Sequence, residues 1–165
     1  MIMKEAKNYY QDNGLKIKMK PQTENSAVRY SLKCKFSAVK DGKKLIFIGM
    51  NPSRTNEQSP DETIKQVIEY AAKENKRQSA DEDKYQKIIF LNTLPFRKSQ
   101  SKKLRKKIKL MRSAVGEPNE ELRKELLANW KVIRKVLKKA VKDDRTEFLL
   151  ATGNPVVKRR CGFDC

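Results

Sequence analysis

Residues 45–55 read LIFIGMNPSRT, and this stretch decides the fold class. Leu45 to Met50 form an apolar run, which is typical of a strand covered on both faces of a sheet. The run opens onto an Asn-Pro-Ser turn that begins at Asn51. A buried strand that ends in polar side chains indicates a layered α/β protein with a ligand site at the rim of its sheet.

Two later stretches repeat this pattern. KIIFLNTL (87–94) is an apolar run that reaches Asn92, and TEFLLATGNPV (146–156) is a third that reaches Asn154. Because the carboxyl ends of parallel strands meet at one edge of a sheet, we expect these two amides and Asn51 to converge on one site. The alternative is that each Asn only terminates its strand, as Asn commonly does in turns.

An alternating segment precedes the apolar strands. Residues 28–36 (VRYSLKCKF) alternate between apolar and polar side chains, which predicts a strand with one solvent-facing side that includes Arg29 and Ser31. The Asp-Gly pair in KDGK (40–43) predicts a turn. Residues 45–50 are therefore expected to return as the second strand of an antiparallel hairpin.

Two long segments carry apolar residues at helical spacing. In residues 59–77, Ser59 is the expected N-cap and Pro60 the first helical residue. In residues 119–142, Trp130 lies on the apolar stripe and is expected in the core. The order of strands and helices predicts an α/β fold, a three-layer sandwich with a largely parallel central sheet and an N-terminal antiparallel hairpin.

The length and the cysteine usage limit the organisation and the chemistry. At 165 residues the chain is long enough for one core, and we predict a loosely attached arm over residues 1–25 and a single α/β domain over 26–165. Three cysteines, no histidine and no signal-peptide pattern predict a reduced, cytoplasmic protein without a metal site. No glycine-rich phosphate or dinucleotide motif is present, so no cofactor is predicted.

The charge balance predicts the partner class. Lysine and arginine total 39 against 20 acidic residues, a net charge of +19, which favours nucleic acid over a membrane surface. A lysine-rich genome is the alternative. The basic residues concentrate in residues 97–113, which contain no acid, and the same segment could be a solvated helix face. The predicted contacts to the nucleic-acid backbone are Lys98, Lys102, Lys103, Arg105, Lys106, Lys107 and Lys109.

Taken in order, these motifs resemble domain-of-unknown-function family 1643 over roughly residues 28–157. That family combines an Arg-Tyr-x-Leu strand, an Asn-Pro-Ser strand end, an Asp-x-Thr signal, an Asn-Leu strand end followed by Arg, and a late strand that ends near Gly. Those motifs stand here as Arg29 to Leu32, FIGMNPS (47–53), Asp61 to Thr63, FLNTLPFR (90–97) and LLATGN (149–154). The family name assigns no activity.

A looser similarity links the chain to the uracil-DNA glycosylase superfamily. IGMNP (48–52) is similar to its water-positioning motif, and IIFLNTL (88–94) is similar to the strand whose Asn reads a base edge. The resemblance implies a glycosylase-like fold, in which Asn51 holds the attacking water and Asn92 binds a flipped pyrimidine. It also implies DNA more than RNA as the partner. Together the two resemblances suggest the ligand-binding positions Pro52, Ser53, Arg54, Asp61, Thr63, Asn92, Arg97, Gly153 and Asn154.

Three functional hypotheses follow from the residues and the resemblance. The first is a glycosylase-like hydrolase that acts on nucleic acid, and the second is a non-catalytic DNA- or RNA-binding module on the same scaffold. The third is a nucleotide- or small-ligand-binding protein that uses the same strand-end pocket. Both resembling families carry a late His-Pro segment, whereas this chain has no histidine and ends about ten residues after its third apolar strand. We therefore expect either a domain that is truncated at its C-terminus or a divergent member of the family.

Overall fold

The computed structural model describes residues 8–21, 27–52, 58–97, 109 and 119–151. Within these ranges the chain forms a five-stranded sheet, three α-helices and a short 3-10 helix at Asp81–Asp83, which confirms the α/β class. The strands are β1 (Leu15–Lys20), β2 (Ser31–Phe36), β3 (Lys43–Gly49), β4 (Tyr85–Asn92) and β5 (Thr146–Ala151). The helices are α1 (Tyr9–Asp12), α2 (Glu62–Arg77) and α3 (Glu120–Ala140).

The sheet is mixed rather than largely parallel. Its strand order is β1-β2-β4-β3-β5, with antiparallel pairing of β1 with β2 and of β2 with β4. Strand β3 runs parallel to both β4 and β5. The predicted hairpin between β2 and β3 is therefore wrong, because β4 lies between these two strands and pairs with both.

Gly42, predicted to form the hairpin turn, instead allows close contact between two backbone segments. A Cβ on Gly42 would collide with the carbonyl oxygen of Lys84, so only glycine allows this close approach. Beside it, the Lys43 amide donates to the same Lys84 oxygen at 2.7 Å. The Asp-Gly pair thus brings β3 against the start of β4 instead of turning it back onto β2.

Strand β1 lies within the segment predicted to be a loosely attached arm. All six of its residues pair with β2, and Leu15 and Met19 are buried with Tyr10 of α1 in the main core. Strand β1 is therefore part of the sheet, and helix α1 contributes Tyr10 to the same core. The sequence carried a signal for this strand, because LKIKMK (15–20) alternates between apolar side chains and lysines.

Helix α2 packs on one face of the sheet. Its predicted apolar stripe is confirmed: Ile64, Val67, Ile68 and Ala71 are all buried in the same core cluster as Phe47.

The predicted cap of α2 is wrong. The N-cap is Asp61 instead of Ser59, because the Asp61 carboxylate accepts from the Ile64 amide at 2.9 Å.

Helix α3 packs on the opposite face, where Ala140 joins a cluster with Ile46, Ile89 and Leu91. Trp130, predicted in the core, is 56% exposed. The stripe that reaches the sheet is rotated from the predicted one, and it buries a polar residue, Asn129, instead. No helix among the described residues is long and apolar enough to cross a membrane.

Strand β5 was expected to be buried on both faces, yet Phe148, Leu149 and Leu150 are 46%, 40% and 70% exposed. Among the described strands β5 pairs only with β3, so it forms one edge of the sheet. Its apolar composition predicted its pairing direction but not its exposure.

Candidate functional site

A cavity of about 350 Å³ opens at the carboxyl ends of β3 and β4, on the α2 side of the sheet. We call it the strand-end pocket. Its polar walls come from the residues before β2, the ends of the parallel strands and the start of α2. The lining residues are Arg29, Phe47, Gly49, Met50, Asn51, Asp61, Thr63, Ile64, Phe90, Asn92 and Ala151.

The structure brings four of the predicted site residues together in this pocket: Asn51, Asp61, Thr63 and Asn92. Two others are described but do not line it. Pro52 is fully buried beside Asn51, and Arg97 directs its Nη2 toward the Met19 sulfur at 3.8 Å.

The remaining predicted site residues lie mostly outside the described ranges. These are Ser53, Arg54, Gly153 and Asn154 at the strand ends, and Lys98, Lys102, Lys103, Arg105, Lys106 and Lys107 in the basic segment. Lys109 is described and exposed. The expected convergence of three amides therefore holds for Asn51 and Asn92, and it stays a prediction for Asn154.

Hydrogen bonds join the two turns that carry the pocket amides. After β4, the Thr93 amide donates to Gly49 O at 2.9 Å and the Leu94 amide donates to Met50 O at 2.8 Å. The Thr93 hydroxyl also donates to Met50 O at 2.9 Å. These three bonds fix the position of the segment that leads into Asn51 relative to the end of β4.

Asn129 of α3 supports the end of β4 from the opposite face of the sheet. Its side chain is 1% exposed, and its Nδ2 donates to Asn92 O at 2.9 Å and to Thr93 O at 3.3 Å. A buried amide in these bonds satisfies carbonyl groups that would otherwise lack a donor at the strand end. Asn129 was missed by the sequence analysis, since a polar residue beside an apolar stripe usually faces solvent.

Arg29 is the main site residue that the sequence analysis missed. It was assigned to the solvent-facing side of a strand, yet it is 2% exposed and lines the pocket. Burial, and then the nearby charge of Arg97, lower its pKa to about 10, while Asp61 opposes that shift. The guanidinium therefore remains charged at neutral pH. The Arg-Tyr-x-Leu motif was a signal for this residue, but alternation alone placed it on the wrong side.

Several hydrogen-bond donors in the pocket lack a partner among the described residues. They are Nε and Nη1 of Arg29 and Nδ2 of Asn92, and all three atoms are inaccessible to solvent. An unpaired buried donor costs about 1–3 kcal/mol, so such groups commonly mark a place where a ligand supplies the acceptor. All three groups donate, which selects a ligand that presents carbonyl or anionic oxygens.

Gly49 leaves space for the Asn92 side chain. A Cβ at this position would lie 3.1 Å from the Asn92 Oδ1 and 3.0 Å from a ring carbon of Phe47. Glycine at the end of β3 therefore lets the neighbouring amide enter the pocket. The same absence of a side chain exposes the edge of the Phe47 ring to the cavity.

The apolar wall of the pocket is aromatic. Phe47 and Phe90 lie on adjacent parallel strands, with ring centroids 5.6 Å apart and ring planes at 50°. Both rings are buried, so they present an apolar edge to the cavity. A pocket with aromatic walls and convergent donors suits a flat, oxygen-bearing ring. No group of three or more metal-ligating side chains occurs in the described part of the chain.

Comparison with known proteins gives one match. A family model described as "Protein of unknown function (DUF1643)" matches residues 29–160. The matched span begins at Arg29 and contains every residue that lines the strand-end pocket. Searches of curated proteins and of solved structures found no match.

Proposed function

The chain belongs to the DUF1643 family, whose function is unknown, and from the geometry of its strand-end pocket we propose that it recognises a flipped nucleobase. The observation that carries the proposal is the convergence of the Asn92 amide and the Arg29 guanidinium, both with unpartnered donors, beside two phenylalanine rings. A pyrimidine such as uracil presents two carbonyl oxygens on one flat ring. It would thus supply acceptors to both donors while its flat ring contacts the apolar aromatic wall.

We further propose that the same pocket catalyses a glycosylase-like reaction, in which water replaces the base on its sugar. The bond between the base and C1′ of the sugar breaks, its electron pair leaves with the base, and a water oxygen bonds to C1′. The water releases a proton to solvent, and the departed base takes up a proton from solvent. Asn51 lies at the rim and would orient that water through its amide. Asn92 would hold the edge of the base.

Arg29 would stabilise the departing base, a role for which this sequence offers no histidine. The departing base carries negative charge, and a buried guanidinium with free N–H groups is suited to stabilise it. Since burial removes competing water, a charge-assisted hydrogen bond from Arg29 is stronger there than at the surface. The role of Arg29 is thus electrostatic, and it requires no proton transfer from a histidine.

The partner in this proposal is nucleic acid, DNA more than RNA, in the cytoplasm. The net charge of +19 supports attraction to a phosphate backbone, and the basic segment 97–113 is the proposed contact. The helices on the two faces of the sheet support a three-layer, uracil-DNA-glycosylase-like arrangement.

The test is base release from a panel of oligonucleotides that carry uracil, mismatched or modified bases. We expect release by the native protein, loss in Asn51→Ala and Asn92→Ala, and full activity in Gln66→Ala, which removes an exposed amide on α2. If no oligonucleotide in the panel loses a base, the glycosylase activity is rejected. Binding of the same oligonucleotides is measured at two salt concentrations.

The binding measurement separates the enzyme from the non-catalytic module. A binding module would keep its affinity in Asn51→Ala and lose affinity when Lys102, Lys103, Arg105 and Lys106 are changed to Gln. For duplex DNA, log K falls as log salt rises, and each lost phosphate contact makes this negative slope shallower by about 0.9.

The size of the pocket favours a nucleotide or other small ligand as the second candidate function. A volume of about 350 Å³ is sufficient for a single base with its sugar. Calorimetry with free nucleobases and nucleosides tests this alternative. Binding of a free nucleoside in the absence of oligonucleotide binding would support it and reject nucleic acid as the substrate.

A further inference from the structure

A second cavity, of about 480 Å³, lies on the opposite face of the sheet, between the strands and the C-terminal half of α3. We call it the lysine groove. Its walls carry six lysines and one acid. The lining residues are Lys20, Ser31, Lys33, Lys44, Ile46, Lys87, Ile89, Val132, Lys135, Val136, Lys139, Ala140, Asp143 and Thr146.

We propose that the lysine groove binds a small phosphorylated anion of about the size of a nucleoside triphosphate. The six lysines come from four strands and one helix, so the fold gathers them from distant parts of the chain. The one acid, Asp143, is already paired with Lys44. The groove therefore has a net positive charge that no side chain in its lining neutralises. This site is separate from the strand-end pocket and does not rest on nucleobase recognition.

The sheet places lysines opposite one another at a cost to its own stability. Lys16 pairs with Lys35 and Lys18 pairs with Lys33 between β1 and β2, and Lys35 also faces Lys87 on β4. Like charges directly opposite each other on neighbouring strands are destabilising. Such a face is poorly explained by the fold alone, and an anion bound over it would relieve the repulsion.

Burial makes part of this charge unfavourable in the absence of a ligand. Burial, followed by the charges of neighbouring lysines such as Lys87 and Lys20, lowers the pKa of Lys33. Burial and the charges of Lys44 and Lys35 similarly lower the pKa of Lys87. Both ammonium groups would therefore gain from a nearby anion more than fully solvated lysines would.

A buried hydroxyl in the lining of the groove gives the site a specific polar contact. Ser31 is 1% exposed, lines the groove, and its Oγ has no hydrogen-bond partner among the residues that the structure describes. A hydroxyl can donate to a phosphate oxygen. Its burial distinguishes the groove from a surface on which lysines are only solvated.

The shape of the groove favours a compact ligand over a polymer. Its volume falls in the range of small-molecule sites. The side chains of Ile46, Ile89, Val132 and Val136 provide an apolar wall beside the lysines. A phosphate ester with a nonionic moiety can satisfy both parts, with its phosphates on the lysines and its nonionic moiety against the aliphatic wall.

Calorimetry with inorganic tripolyphosphate, ATP and adenosine, without added metal, tests the proposal. We expect tripolyphosphate and ATP to bind, more weakly at high salt, and adenosine not to bind. The double variant Lys33→Gln/Lys87→Gln should lose at least tenfold in affinity for both phosphates. The matched control Lys73→Gln/Lys76→Gln removes the same charge from exposed positions on α2 and should change affinity by less than twofold.

Two further variants distinguish specific phosphate binding in the groove from nonspecific attraction to a positively charged surface. Ser31→Ala leaves the net charge unchanged and should lower tripolyphosphate affinity several-fold. Arg29→Met changes the strand-end pocket and not the groove, so it should leave tripolyphosphate binding unchanged. This outcome does not depend on whether the pocket recognises a nucleobase. Equal losses in the groove variant and its control would overturn the proposal, as would binding of a single-stranded oligonucleotide without binding of tripolyphosphate.

Discussion

The strand-end pocket and the lysine groove occupy opposite faces of one sheet and use charge in different ways. The pleat sends adjacent residues to different cavities: Ile46 and Ile89 line the groove, whereas Phe47 and Phe90 line the pocket. The pocket contains a few donors that are fully buried. The groove contains six lysines, of which three are partly buried and three are exposed.

The difference shows which kind of ligand each cavity can discriminate. A buried donor without a partner costs free energy that only a correctly placed acceptor recovers, so the pocket should be selective for geometry. Half-exposed lysines are partly screened by water and salt, and they respond to total charge more than to shape. We therefore expect ligand binding in the pocket to depend weakly on salt and binding in the groove to depend strongly on it.

Arg29→Met should produce the largest effect of the three variants that test this comparison. Methionine keeps much of the buried volume and removes the unpartnered guanidinium donors. Oligonucleotide base recognition should fall at least 100-fold, about 2.7 kcal/mol, because charge-assisted hydrogen bonds contribute about 1.5–3 kcal/mol each. The unfolding midpoint in urea should stay the same or rise, since a buried charge is removed.

The control for this variant is Arg77→Met, which removes an exposed arginine that pairs with Glu74 on α2. It should affect neither base recognition nor stability. A large drop in the stability of Arg29→Met with unchanged recognition would assign Arg29 a structural role and leave the pocket without its main donor.

Asn129→Ala should have the next largest effect, on stability. The variant removes the donor that serves Asn92 O and Thr93 O at the end of β4. The free energy of unfolding should fall by about 2 kcal/mol, which is the usual cost of leaving a buried acceptor unpaired. Base recognition should weaken as well, because Asn92 would no longer be held.

Leu127→Ala is the matched control in the same helix, since Leu127 is 52% exposed. Its effect on the free energy of unfolding should stay within about 0.5 kcal/mol. Equal losses in the two variants, measured by urea denaturation, would show that the buried amide is not what stabilises the end of β4.

Lys33→Gln should have the smallest effect, and it should be stabilising. Removing the charge relieves the repulsion from Lys18 across the strand pair, which should add about 0.2–0.5 kcal/mol to the free energy of unfolding at low salt. The gain should shrink at high salt. It should also shrink as pH rises toward 10.5, because a lowered pKa means that Lys33 loses its charge in the folded state before an unfolded lysine does.

Lys73→Gln on the exposed side of α2 should leave the free energy of unfolding unchanged at every salt concentration. If Lys33→Gln instead destabilises the protein, the lysine face contributes favourable packing through its aliphatic stems, and the argument from like-charge pairs fails. In that case, like-charge repulsion would no longer support an anion site in the lysine groove.

Local patterns in the sequence predicted the elements well. The apolar runs that end at Asn92 and Ala151 are strands β4 and β5, and the stripe from Ile64 to Ala71 faces the core. These patterns depend on neighbouring residues, since side chains alternate along a strand and recur every third or fourth residue along a helix. The segment LKIKMK (15–20) shows the same alternation that is typical of a strand, within the segment predicted to be an arm.

Strand pairing was less predictable, because it depends on contacts between residues that are distant in sequence. The Asp-Gly pair at 41–42 favoured a hairpin, but β4 arrives from residues 85–92 to separate β2 from β3. The choice of partner depends on which arrangement buries the most apolar surface overall. A turn propensity of one dipeptide cannot decide it.

Local sequence patterns are sufficient to predict the class of the fold, the stripe on α2 and two of the amides at the strand ends. Three features depend on long-range packing: the burial of Arg29 beside those amides, the support of Asn92 by Asn129 from the opposite face of the sheet, and the gathering of lysines from four strands and one helix in one groove. The physical reason is that alternation assigns residues to the two sides of a strand without saying what covers each side. Neighbouring elements decide which polar groups lose their water, and those groups are the ones that a ligand can satisfy.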